Sequence, residues 1–283
     1  MRSTHRRSDS PMIATTAKPV RLLGVDFTSA PTKRKPITAA IGMLLAGRLQ
    51  IESISRCPDF GAFEQLLRMP GPWLGAFDFP FGLPREGVEA LEWPLEWGAL
   101  ASHCAGLGRA EFKRVLDHHR EQRPRGQRYP HRQTDLPARS HSPFKLVNPP
   151  VGFMFLEGAP RLLSANVHIP GLHAGDPNRV ALEAYPALLA RRFCTSSYKS
   201  DDRRKQTQAR EDRRELIVAG LEREFGLAFT DPSVRQLLIH DASGDSLDAA
   251  LALTQAAIAL TAPNGSYGLP RHIDPIEGWI ASV

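Results

Sequence analysis

Short apolar runs that each close on an acidic residue punctuate the first third of the chain. Val20 to Phe27, VRLLGVDF, ends in Asp26 and gives way to the turn-rich TSAPTKRKP, the pattern of a strand and its exit loop. Ile37–Leu45 and Leu49–Ser55 are β-rich halves around Ala46-Gly47, which predicts a hairpin. DFGAFEQLLR, Asp59 to Arg68, spaces Phe60, Phe63, Leu66 and Leu67 on one face of a short helix. After Pro70-Gly71-Pro72, WLGAFDFP is a second apolar strand that reaches an aspartate, Asp78.

The middle is less regular. REGVEALEW, EWGALASHCAGL and AEFKRVLDHHRE predict helices, the last with Phe112, Val115 and Leu116 facing inward. Gln122 to Pro150 lacks periodicity and is too long for an idle connector in a compact domain. RVALEAYP, residues 179–186, predicts a third strand ending near Glu183, with a helix from Pro186 to about Phe193. From about Asp201 to Glu224 one long helix or two are expected, the first half with almost no apolar residue and so facing solvent or a ligand. DSLDAALALTQAAIAL, Asp245 to Leu260, has the Ala/Leu composition of a helix packed against a sheet. With no internal repeat and no interdomain linker, the expectation is one α/β domain over 20–283 with an insertion at about 85–178. A flexible basic tail over 1–19, with Met12 as an alternative start, precedes it.

Composition narrows the function classes. At 42% apolar in 283 residues a buried core is available. Cys57, Cys104 and Cys194 are odd in number and form no C-x-x-C pair, so neither a disulfide framework nor a zinc ribbon is indicated, and a reducing, cytoplasmic location is the default. No run approaches the roughly 18–20 apolar residues that span a bilayer. The net charge of +6 is concentrated: Arg109 to Lys145 holds ten Lys/Arg against four Asp/Glu, with His118, His119, His131 and His141. Such a segment is either a solvated loop or the electrostatic footprint of a polyanion partner, nucleic acid above all. After Phe112, Tyr129 and Phe144 are its aromatics available for stacking.

LGAFDFPFGLP, Leu74 to Pro84, poses the central question, because an ionised Asp78 leaving water among phenylalanines costs several kcal/mol unless something compensates it. Asp26 and Asp78 each occupy the carboxyl end of an apolar strand, where sites form in α/β sheets. On neighbouring strands they lie about 5 Å apart. Asp245 and Asp248 open the last helix at i, i+3 and share a face, with Asp241 continuing the stripe if the helix starts early. N-capping by Asp241, Ser243 or Asp245 is the structural alternative. Together these carboxylates suit Mg²⁺ or Mn²⁺, and a two-ion site about 3.5–4 Å across needs several converging from different elements.

The carboxylate on the first strand, the second after a hairpin and a helix, and D-x-x-D-A opening an Ala/Leu-rich last helix resemble the ribonuclease H-like fold. DSLDAALALTQA is similar to the last helix of Holliday-junction resolvases, and GVDFTSAP, FDFPFGLP and LEAYPALL resemble the predicted ribonuclease H-like nucleases grouped as domain of unknown function 429. The resemblance spans Gly24 to Ala256. It implies a mixed sheet with an antiparallel hairpin beside parallel strands and flanking helices. It also implies metal-dependent hydrolysis of phosphodiesters in nucleic acid and, as in junction resolvases, a homodimer. Asp26, Asp78, Asp245 and Asp248 become the metal ligands and Glu183 an accessory ligand or base, while Glu64, on the first helix, stands in an unmatched context. Lys199 is a candidate to steady a phosphate or leaving group, and Thr28, Ser29, Lys145, Asn148 and His240 are weaker candidates. Two other classes remain open: an actin-like or sugar-kinase-like ATP-binding protein with GVDFTS as phosphate turn, and an inactive nucleic-acid or protein-binding module of the same fold.

Overall fold

The hairpin forms around Ala46 and Gly47, both at positive φ (47° and 77°), which turn β2 (Ile37–Leu45) back into β3 (Arg48–Cys57). In the computed structural model, which describes residues 20–283, this hairpin continues β1 (Arg21–Asp26) as an antiparallel meander. The basic segment 1–19, expected to be a flexible tail, lies outside the described residues. Asp59 caps α1 (Phe60–Leu67) by accepting from the Ala62 amide, and the chain then returns as β4 (Trp73–Asp78), parallel to β1. After the middle segment, β5 (Val167–His168) and β6 (Asp176–Glu183) extend the sheet beyond β4 in parallel, and β7 (Ala228–Phe229) joins β3 on the far edge. The result is an α/β protein with a seven-stranded mixed sheet in the order β5-β6-β4-β1-β2-β3-β7.

Strand alternation divides the core in two. Leu23, Val25, Trp73 and Phe77 point to one face and meet α1, α2 (Arg85–Ala90), α3 (Trp97–Glu121) and α5 (Val151–Ser164). Leu22, Leu74 and Ala76 point to the other, covered by α6 (Pro186–Ala190), α7 (Gln208–Phe225), α8 (Pro232–His240) and α9 (Asp245–Leu260). Of the three expected middle helices, the first is α2 and the other two run into one another as α3 but break at Gly108, at φ 69°. The helix expected from about Asp201 starts instead at Gln208, after a 3₁₀ turn at Arg203–Lys205. Helices α5 and α8 lie where no helix was expected. The irregular stretch Gln122–Pro150 contains a single short helix, α4 (Asp135–Ala138). No helix of the described residues is long and apolar enough to cross a membrane.

Helix α9 packs on β1 with no side chain between them. A Cβ on Gly24 would stand 2.1 Å from the Leu253 amide nitrogen and 2.2 Å from the Ala249 carbonyl oxygen, so only glycine permits this approach. Ala76, in register with Gly24, keeps the neighbouring position shallow. Gly24→Ala should therefore displace the helix and cost about 3 kcal/mol or more of stability in denaturant titration. A cost under about 1 kcal/mol would show that α9 is not held at this spacing.

Candidate metal centre

The parallel register places Asp26 beside Asp78, and both belong to the even-numbered positions that face α9. Helix α9 brings Asp248, fully buried, down onto them from its first turn. Carboxylate oxygens of Asp26, Asp78 and Asp248 lie within 4.8 Å of one another, the one such acidic group among the described residues. Capping does not consume Asp248: Asp241 takes that duty, accepting from the Ser246 amide (3.0 Å) and from the hydroxyls of Ser243 and Ser246. Asp241 therefore stands outside the helical stripe, and α9 starts at Asp245.

Asp248 is held by two neighbours. The Tyr198 hydroxyl donates to Oδ1 at 2.5 Å, and the Lys199 ammonium pairs with Oδ2. Both come from an irregular strap that α7 secures by its arginines. Arg214, buried, donates to the Tyr198 carbonyl (2.8 Å), Arg210 to that of Lys199 (2.7 Å) and Arg213 to that of Ser197 (2.8 Å). This explains why the first half of α7 is so poor in apolar residues: its charged side chains bond to backbone of the site rather than merely face solvent. Tyr198 carried no motif in the sequence, and its neighbour Lys199 was the available signal.

The carboxylates of Asp26 and Asp78 accept no hydrogen bond from protein groups among the described residues, and both are pushed up in pKa. Burial, and then repulsion from Asp248, raises Asp78 to about 7 against the pull of Lys199. Burial also raises Asp26 well above the carboxylate range, Lys199 opposing and Asp248, Asp245 and Asp78 adding to the rise. Burial works against the Lys199 ammonium, yet Asp248, Tyr198 and Asp26 hold its pKa above the ordinary lysine value. With all three acids ionised, one ammonium leaves two negative charges uncompensated. Hard oxygen donors from three elements, two of them without a hydrogen-bond partner, fit one divalent cation such as Mg²⁺ or Mn²⁺.

Two of the expected acids lie outside this group. Asp245, buried at the edge of the cluster, accepts from Lys35 at 2.9 Å, and Lys35 also binds Asp201. Glu183 stands in register with Phe77, not with Asp78, so strand alternation turns it to the opposite face. There Arg132, fully buried, grips both its oxygens (2.6 and 2.7 Å) and Asp135 (2.9 Å), while the Phe81 amide donates to Glu183 at 2.8 Å. Arg132 belongs to the basic stretch, which is thus pinned to the sheet at this point. Its aromatics are pinned too: Phe144 is buried and Tyr129 packs on the core, so neither is free for stacking. Of the phenylalanines of FDFPF, only Phe79 reaches the pocket beside Asp78. Phe77 and Phe81 point away into the opposite core and pack with Phe27, Phe63 and Phe79.

The weaker candidates are dispersed. Glu64 pairs with Arg68 and Arg161. Ser29 is buried with its carbonyl accepting from Arg109, and Thr28 accepts locally from Ala30. Exposed His240 bonds Gln236, Asn148 is an exposed turn residue at φ 46°, and Lys145 approaches His141. Beside Asp78 and Asp248 a pocket of about 320 Å³ opens between Phe79-Pro80, Met154 and the Tyr185-Pro186-Ala187 turn. Compared with known proteins, the chain matches no protein-family profile, no curated protein and no solved structure.

Two consequences are measurable. Between about pH 4, where an unfolded aspartate titrates, and about pH 7, folded Asp78 holds a proton that the unfolded chain has lost. The metal-free protein should therefore lose stability as pH rises through that window. In EDTA at pH 8, Asp78→Asn should raise Tm by about 3–6 °C and at pH 4 by little; a difference independent of pH would refute the uncompensated charge. Separately, Arg132→Met strands Glu183 and Asp135 in the core. It should cost about 3–5 kcal/mol in urea unfolding, whereas a cost below 1 kcal/mol would mean the ion network does not pin the insertion.

Proposed function

We propose that this protein is a divalent-metal-dependent nuclease of ribonuclease H-like architecture, hydrolysing phosphodiester bonds in nucleic acid. The observation that carries the reading is the convergence of Asp26, Asp78 and Asp248, from β1, β4 and α9, on a space where one ammonium, Lys199, stands against three carboxyls. The order of elements supports it: strand with acid, antiparallel hairpin, helix, parallel strand with acid, last helix with acid. Against the kinase-like alternative, α9 covers the Gly24 end of GVDFTS.

When bound, Mg²⁺ or Mn²⁺ would polarise the phosphate and lower the pKa of a water. Asp26 and Asp78 would hold the ion, and Asp248, fixed by Tyr198, would complete its donors. In the reaction the water oxygen bonds to phosphorus, the bond from phosphorus to the leaving sugar oxygen breaks, and a proton reaches that oxygen. Lys199, already paired to Asp248, supplies positive charge beside the triad where charge develops on the leaving oxygen. Arg132 and Lys35, by neutralising Glu183 and Asp245, leave three carboxylates for the metal and favour one tightly held ion over two.

Labelled single-stranded, double-stranded, hybrid and junction substrates with Mn²⁺ or Mg²⁺ test this reading. Wild type should cleave at least one class. Asp78→Asn should lower the rate by about 10³-fold or more, a loss of roughly 4 kcal/mol of transition-state stabilisation. Mn²⁺ should raise the wild-type Tm at pH 8 and not that of the variant. Equal cleavage by the variant, or none by wild type, sinks the proposal.

A further inference from the structure

The carboxylate row continues across the sheet. Asp78, Asp26, Thr38 and Arg56 are successive register partners on β4, β1, β2 and β3, so all four face the α9 side at one end of the sheet. By strand spacing, Arg56 stands about 10 Å from Asp26. At this β2–β3 end a groove is lined by Arg34, Arg56 and Arg203, with Asp245 at its inner edge. All three arginines are exposed and make no ion pair among the described residues; the acids nearby are engaged elsewhere, Asp201 and Asp245 by Lys35, Asp202 by Arg204, and Asp241, also in the groove wall, by Ser243 and Ser246. At the other end of the row lies the pocket beside Asp78. Its walls are mostly apolar, with the Tyr185 ring and His141 among them.

A ligand that spans the row would therefore carry negative charge at one end and present largely apolar surface to the pocket at the other. Unpaired arginines suit phosphates. At about 320 Å³ the pocket sits at the small end of ligand sites, roughly 300–1,000 Å³, enough for one ring system and not for a stacked pair. We infer that this pocket receives one unpaired nucleobase of a strand whose adjoining phosphates run over the carboxylates into the arginine groove. This assignment rests on the nuclease reading and sharpens it. The substrate is a strand with an unstacked nucleotide at the cut, as in a single strand, an end or a branch point, rather than a continuous duplex. A base inside a duplex would have to be extruded first, at a cost of a few kcal/mol.

Fluorescence anisotropy with labelled oligonucleotides in Mn²⁺ tests it, alongside cleavage of the same substrates. With the abasic residue scanned along the strand, wild type should bind the intact single strand at least roughly tenfold more tightly than the strand abasic at one position. Ala187→Trp, which fills the pocket, should lower single-strand affinity by a similar factor and abolish the abasic difference, with the Mn²⁺ thermal shift unchanged. Replacing Arg34, Arg56 and Arg203 together by alanine should weaken all strands alike and reduce the salt slope by about 2–3. If wild type binds abasic and intact strands equally at every position, or Ala187→Trp binds and cuts as wild type does, the base pocket is wrong while the nuclease reading stands. If base-dependent binding is found without cleavage, the nuclease reading falls and the pocket assignment survives.

Discussion

The approach of α9 to β1 at Gly24 is the constraint on which the rest of the molecule depends. Backbone lies on side-chain-free backbone, so the helix sits deeper on the sheet than any residue with a Cβ would allow. That depth is what lowers Asp248 to the level of two strand-end carboxylates; a helix riding on a leucine would hold it several ångströms higher, in water. The Ala-rich sequence of α9 and Ala76 beside Gly24 serve the same close packing. The same closeness that stabilises the core by burial brings three acids into one poorly solvated space.

The fold answers its buried acids one by one, and the answers differ. Glu183 and Asp135 share Arg132, Asp245 has Lys35, and Asp248 has Lys199 with Tyr198. Asp26 and Asp78 have none. Carboxyls left without a cation, while Glu183, Asp135, Asp245 and Asp248 each have one, are under a different constraint from stability alone. Without metal, the compensation for Asp78 is a proton, held up to about pH 7. A divalent ion would displace that proton, so affinity for metal should fall as the pH drops below neutrality.

Much of this was legible in the sequence where local rules dominate. The hairpin at Ala46-Gly47, the short helix that buries Phe63, Leu66 and Leu67, and the helix from Asp245 follow from turn chemistry, periodicity and composition, and each lies where those rules put it. Asp26 beside Asp78 followed from two strand-end aspartates and a parallel register. Glu183 did not follow, because its face depends on a one-residue register relation to β4 that no local pattern encodes. Helix α5 opens on an apolar run, Val151 to Leu156, that periodicity alone does not separate from a strand. Helix α8 carried an unused signal, Asp231-Pro232-Ser233, in which Asp231 accepts from the Ser233 amide and Pro232 opens the helix. Lys35 as the partner of Asp245 and Arg132 as the partner of Glu183 were out of reach, since each pair joins positions more than fifty apart through the tertiary fold.

The placement of Asp78 among phenylalanines takes on a different meaning from a dry wall around an acid. Phe77 and Phe81 anchor the end of β4 from beneath, with Trp97 donating to the Phe81 carbonyl at 2.6 Å and Glu183 accepting from the Phe81 amide. The aromatic face immobilises the backbone, and alternation then presents Asp78 on the opposite face with little freedom to retreat from Asp26 and Asp248. A flexible strand end would relieve the repulsion by swinging the carboxylate into water. Here the strand end is clamped by the arginine network and the aromatic core together, so the repulsion persists until a proton or a cation enters. Rigidity on one face of the sheet is thus what makes the other face a binding site.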